Sequence, residues 1–184
     1  ATLRLSQRGS AMFQSGGVRD FLTPRPFAPG VPETRSFPLQ TWERLERQVL
    51  KEYGTLALLH SPPQGMEPLR RAIADYVNLE RGARATPERV LVLTSSQQAL
   101  TLSATVLLDA GDRIFIEDPV YHGARKAFDV AGLACVPVPL DADGLRVDRL
   151  LEASKAPGDP ARAVFLTPSH QFPTGATLSL DRRL

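Results

Sequence analysis

Apolar and polar positions sort with two different periods along the chain. Trp42, Leu45, Val49, Leu50 and Tyr53 recur at helical spacing while Glu43, Arg44, Glu46 and Arg47 fill the opposite face, so an amphipathic helix is predicted to run to a stop at Gly54. A turn over residues 62–65 follows. A second amphipathic helix is predicted from about Pro68 to near Gly82, with Leu69, Ile73, Tyr76 and Val77 inward. Beyond Pro87 short, continuously apolar runs at 90–93, 114–116, 135–138 and 163–166 are separated by helical stretches around 97–108, 122–131 and 147–153. That order is βαβαβαβ. Strands without polar alternation need cover on both faces, so the pattern predicts an α/β fold with a mostly parallel sheet and helices on both sides.

The stretch up to Pro38 behaves differently, with poor periodicity, prolines at 24, 26, 29, 32 and 38, and glycines at 16, 17 and 30. It reads as a linker or extended arm, residues 1–38, ahead of a folded region at 39–184. Phe21, Phe27 and Phe37 are too many for a purely solvated linker, so part of the arm is expected to lie along a folded surface.

Composition narrows the class. The 184 residues are 42% hydrophobic and 23% charged, which suits one globular domain, and no apolar run approaches the ~20 residues that cross a bilayer. The start has no secretory signal pattern, so a cytoplasmic location without membrane contact is expected. One cysteine and three scattered histidines, His60, His122 and His170, offer no metal-ligand spacing. The net charge of +2 comes mostly from dispersed arginine, with lysine only at 51, 126 and 155, and no block of like charge marks a nucleic-acid surface.

In open α/β sheets ligands bind beyond the carboxyl ends of the strands, so the residues that follow each apolar run carry the chemistry. After 90–93 come Thr94, Ser95, Ser96, Gln97 and Gln98 at the start of a helix, where free amides and hydroxyls suit a phosphate but serve equally as a helix cap. After 114–116 come Glu117, Asp118, Pro119 and Tyr121, whose ring is either a stacking surface or a packing residue. After 163–166 a polar loop runs from Thr167 to Gly175, and its His170 either carries a proton or braces the turn. A Walker loop, a dinucleotide fingerprint and a Gly-x-Ser-x-Gly elbow are all missing from the sequence.

These clusters, in this order, resemble the fold-type I, pyridoxal-phosphate-dependent aminotransferase domain, in the version found in MocR/GabR-type transcriptional regulators. The resemblance is carried by Arg25-Pro26-Phe27-Ala28-Pro29-Gly30-Val31-Pro32, Gln64-Gly65 with Leu69-Arg70, Thr94-Ser95-Ser96-Gln97-Gln98-Ala99-Leu100, Gly111-Asp112, Glu117-Asp118-Pro119 with Tyr121, and Pro168-Ser169-His170-Gln171-Phe172-Pro173-Thr174-Gly175. It covers the chain from about Leu5. Free-standing aminotransferases usually have Asn-Pro-Thr-Gly where this chain has Phe172-Pro173-Thr174-Gly175 after His-Gln, which favours the regulator branch; an aminotransferase moving an amino group between an amino acid and a 2-oxo acid is the alternative.

The resemblance implies a pyridoxal 5'-phosphate pocket in which the backbone of Ser95, Ser96 and Gln97 holds the phosphate, Tyr121 stacks on the pyridine ring, and the loop from His170 to Thr174 approaches the ring's edge. It also implies a homodimer with sites at the subunit interface, where His60 would contact the partner's phosphate, and a small amino compound or the cofactor itself as effector. Ser95 stands where the family usually has glycine, and His60 where it usually has tyrosine. The family's Schiff-base lysine, its aspartate for the pyridine nitrogen and its carboxylate-binding arginine would fall beyond Leu184, and its winged-helix DNA-binding region ahead of the chain. The expectation is therefore a truncated, catalytically inactive part of the domain, with no catalytic residue of its own and weak cofactor binding at most.

Overall fold

The computed structural model describes residues 4–14, 32–158 and 160–184. The expected contacts of Phe21 and Phe27 lie outside the described residues, and so does most of the motif from Arg25 to Pro32. Two compact units emerge, residues 18–93 and residues 1–17 with 94–184.

The second of these holds the sheet. Strands β1 (Arg113–Asp118), β2 (Ala134–Asp141), β3 (Gly144–Leu145) and β4 (Ala163–Phe165) lie in the order β3-β2-β1-β4. β1 pairs in parallel with both β2 and β4, while β3 folds back antiparallel on β2. From β1 the chain steps through α5 (His122–Ala131) to β2 on one side, then returns through α6 (Val147–Ser154) to β4 on the other. Because parallel crossovers are right-handed, this reversal puts the two helices on opposite faces. The core divides accordingly. Ile114 and Ile116 pack with Ala124, Ala127 and Phe128 of α5 and Ala104 of α4 (Ser96–Leu107), whereas Phe115 packs with Val138, Leu145 and Leu178, joined by Val147 and Leu150 of α6. Three consecutive apolar residues of β1 are thus buried on alternate faces, as the unbroken apolar run predicts.

Helix ends follow local chemistry. The Ser95 hydroxyl accepts from the Gln98 N–H at 3.2 Å and caps α4, and Gly132 closes α5 at φ +79°, a left-handed conformation that glycine adopts without strain. A short C-terminal helix, α7 (Leu180–Arg183), is tied to the β2–β3 hairpin by Arg182, which makes paired bonds of 2.6 and 2.7 Å to Asp141. One helix lies where the sequence pattern predicts none. The N-terminal stretch read as an arm contains α1 (Gln7–Gln14), short of the first proline and in contact with α5.

In the other unit, α2 (Leu39–Tyr53) and α3 (Glu67–Arg81) match the predicted helices closely. Asn78 pins the segment after α3 by a reciprocal pair with Ala85, of 2.9 and 2.7 Å, and Arg70 bonds the Gly65 and Pro87 carbonyls. Two expectations require correction. Residues 90–93 form no strand among the described residues, and the Val92 N–H goes to the Gln64 carbonyl of the preceding turn at 2.9 Å. Leu69 and Tyr76, expected inward on α3, are 47% and 61% exposed, and the apolar face of α2 is largely open too, with Trp42 touched by the Phe37 ring. No described helix is long and apolar enough to cross a membrane.

Candidate functional site

β1 and β4 are parallel neighbours, so the loops leaving them start at the same edge of the sheet. The N-terminus of α4 reaches that edge as well. The Gln97 side chain donates from Nε2 to the Gly123 carbonyl at 3.0 Å, fastening the first turn of α4 to the first turn of α5. A Cβ at Gly123 would come within 2.6 Å of both Gln97 Oε1 and the Tyr121 ring, so any larger residue would displace one of them. Tyr121, half-buried, folds over this glycine and receives the Phe172 ring edge to face, with centroids 5.9 Å apart. Three loops that are distant in sequence thus converge within one unit.

At α4 the Ser95 hydroxyl is committed to the cap, and the Gln98 side chain turns back to the Thr94 N–H and hydroxyl at 2.8 and 2.9 Å. The backbone N–H groups of Ser95, Ser96 and Gln97 meet no acceptor among the described residues. Three consecutive exposed amides at the positive end of a 12-residue helix are chemically suited to a phosphate dianion.

The loop after β4 is organised from within by Gln171, a residue whose importance sequence reasoning missed. Its buried amide bonds Glu117, the Pro119 carbonyl and both the N–H and hydroxyl of Thr174, while its backbone N–H goes to the Ala176 carbonyl. The Thr174 hydroxyl also accepts from the Ala176 N–H at 3.2 Å, so that hydroxyl is occupied inside the loop. His170 has φ +54°, the single positive value outside glycine among the described residues, and its exposed imidazole has no hydrogen-bond partner there. It does not brace the turn. Arg183 does so instead, bonding the Pro168 and Leu178 carbonyls at 2.6 and 2.7 Å. Both site loops carry a cis proline bond, at Asp118-Pro119 and Phe172-Pro173.

His60 belongs to the other unit, where it is exposed just after a 3-10 turn over Gly54–Leu58. Among the described residues no three His, Cys, Asp or Glu side chains group to hold a metal ion. Burial pushes the Cys135 thiol up from its ordinary value, which favours the protonated form.

Residues 32–182 match the family described as aminotransferase class I and II. The chain is 36% identical over 182 residues to a 2-aminoadipate transaminase of Thermus thermophilus, covering 96% of this chain and 44% of that protein. It is 35% identical over 181 residues to a probable rhizopine catabolism regulatory protein, MocR, of Rhizobium meliloti, covering 98% and 35%. The crystal structure of α-aminoadipate aminotransferase from Thermus thermophilus, complexed with N-(5'-phosphopyridoxyl)-L-leucine, superposes with a TM-score of 0.76 at 37% identity, covering 85% of this chain and 38% of that one. The chain thus spans less than half the length of these relatives. With a matching family over most of its residues and the corresponding fold, the chain belongs to the class I and II aminotransferase family.

Proposed function

We propose that residues 39–184 belong to the effector-sensing, aminotransferase-like domain of a MocR/GabR-type regulator, with residues 1–38 as its leading arm, and that the part from Thr94 onward forms one wall of its pyridoxal 5'-phosphate site. The observation that carries this is the convergence of the open Ser95–Gln97 amides with the Tyr121 ring at one sheet edge. The amides and the helix dipole would hold the phosphate; Tyr121 would stack on the pyridine ring, and the loop carrying His170 and Thr174 would face the ring's edge. Bound there, the cofactor supplies an electron-withdrawing ring that reacts with amino compounds, which are the proposed effectors. This chain's own residues bind and orient: Gly123 lets Tyr121 lie close to Gln97, and Phe172 limits the tilt of the Tyr121 ring. The proposed assembly is a cytoplasmic homodimer, with His60 reaching the phosphate of the partner subunit and DNA bound through a winged-helix region.

The 36% identity to a 2-aminoadipate transaminase supports a second reading, an aminotransferase acting between an amino acid and a 2-oxo acid. The complete gene product separates the two. Specific binding to DNA upstream of its own or a neighbouring gene, altered by pyridoxal phosphate, supports the regulator, whereas turnover of an amino acid with a 2-oxo acid and no DNA binding supports the enzyme. For the site itself, equilibrium dialysis of pyridoxal phosphate should show Tyr121→Ala weaker by about 1 kcal/mol, roughly fivefold. No binding by the unaltered protein would overturn the cofactor reading.

A further inference from the structure

Gln171 is 1% exposed and Glu117 2% exposed, yet neither meets a cation among the described residues, and together they link the loops that follow two neighbouring strands. The Gln171 amide has opposite sides. Its Nε2 donates to Glu117 Oε2 at 3.2 Å and to the Pro119 carbonyl at 2.8 Å, on the turn that leads into Tyr121. Its Oε1 accepts from the Thr174 N–H at 3.1 Å and the Thr174 hydroxyl at 2.7 Å, in the loop that carries His170 and Phe172. Glu117 uses its other oxygen for the Thr167 N–H at 2.9 Å, the first residue after the apolar run of β4. Every donor and acceptor site of the Gln171 side chain is therefore used, and the polarity is one-way: acceptors stand on the Tyr121 side, donors on the His170 side. A leucine would fill the volume, leave Glu117 Oε2 unpaired in a buried setting and hand the Pro119 and Thr174 groups, which lie on exposed residues, to water.

We propose that Gln171, braced by Glu117, is a positioning residue for the cofactor site. It sets the spacing between the Tyr121 turn and the His170–Thr174 loop, and touches neither the cofactor nor the effector. This rests on the pyridoxal phosphate reading above. The side-chain chemistry makes a diagnostic exchange available. Gln171→Glu alone sets two carboxyl groups face to face about 3 Å apart, which can be held only if they share a proton. Glu117→Gln alone sets two amides together, and the new amide must face both the Thr167 N–H and the Gln171 NH2, which are both donors. The double variant, Glu117→Gln with Gln171→Glu, reverses the bond between them and keeps the donors of Thr167 and Thr174 satisfied. The Pro119 carbonyl loses its donor and faces a carboxylate oxygen in both Gln171→Glu and the double variant, so comparing those two isolates the contact between positions 117 and 171.

The test uses the complete gene product and reads three quantities: the dissociation constant for pyridoxal phosphate, the visible circular dichroism of the bound cofactor, and the thermal midpoint without cofactor. Gln171→Glu is expected to bind at least tenfold more weakly than the unaltered protein at pH 7.5, and to recover relative to it at the same acidic pH. The double variant should bind at least threefold more tightly than Gln171→Glu, with its dichroism shifted back toward that of the unaltered protein. Variants that are folded, even with lowered midpoints, but bind with unchanged affinity and dichroism would reduce Gln171 to a stabilising residue and overturn the proposal. Should Gln171→Glu fail to fold, Glu117→Gln against the double variant decides by the same criterion. Absence of binding by the unaltered protein is a distinct result, because it removes the cofactor reading itself.

Discussion

The ring of Phe172 meets the ring of Tyr121 edge to face, with centroids 5.9 Å apart and planes at 85°. In such a pair the positive edge of one ring meets the electron-rich face of the other, so the contact favours one tilt of Tyr121 over others. Phe172→Leu keeps bulk and loses the directional contact, while Phe172→Asn loses both. In pyridoxal phosphate binding, measured by dialysis, the loss should be less than about 1 kcal/mol for Leu and about 1 kcal/mol or slightly more for Asn. Equal affinity for all three proteins would show that Tyr121 is held by Gly123 and Gln97 alone.

Gly123→Ala tests that alternative support. The added Cβ would sit 2.6 Å from both Gln97 Oε1 and Tyr121 Cε1, so either the ring swings away or the Gln97 bond to residue 123 breaks. Overpacking of this kind costs about 1–3 kcal/mol. Cofactor affinity should fall, and urea denaturation should report the lost stability independently.

Ser96→Pro isolates the amide cradle. Ser96 is the first residue of α4, a position where proline fits, and Ser95 before it is already extended at φ −163° and ψ 161°, as a residue preceding proline must be. The helix should survive by circular dichroism. One open N–H disappears, and a charge-assisted bond to phosphate is worth about 1.5–3 kcal/mol, so pyridoxal phosphate should bind at least tenfold more weakly. Pyridoxal without its phosphate should be unaffected, and an equal loss for both ligands would count against phosphate binding here.

These substitutions also mark what could be read from the chain. α5 was legible to the residue, 122–131, because Pro119 precedes it and Gly132 ends it, both local signals. The unbroken Ile114-Phe115-Ile116 run of β1 likewise predicted cover on both faces, although the strand extends beyond it to Arg113–Asp118. Residues 90–93 carry an equally apolar signal, but a ladder needs a partner, and pairing is decided elsewhere in the chain. β3 has only two residues and no periodicity to show. At the candidate site, the place of Tyr121 just after β1 follows from the apolar run before it, whereas Gln171 acts on Glu117 across 54 positions, a relationship that no local pattern contains.

Acid stability should separate two ion pairs that look alike on the surface. Asp141 is held below its ordinary value of 3.8, chiefly by the Arg182 guanidinium, and Asp148 is lowered to about 2, chiefly by Arg146. A depressed carboxyl pKa contributes stability above the unfolded value, and that contribution is lost as pH falls through the folded one. The window is therefore below about pH 4 for both. What counts, however, is the difference from the unfolded chain. Arg146 and Asp148 are two residues apart and stay near each other when the chain unfolds, so much of the shift at Asp148 persists there. Arg182 and Asp141 are 41 residues apart, and Arg182 also bonds the Gly144 and Leu145 carbonyls, so their pairing exists only in the fold. Asp141→Asn should lower the urea midpoint at pH 7, and the gap from the unaltered protein should close as pH drops below 4. Asp148→Asn should change little at either pH, despite the larger shift. A greater effect at Asp148 than at Asp141 would mean that the local pair, not the link from α7 to the β2–β3 hairpin, carries the acid sensitivity.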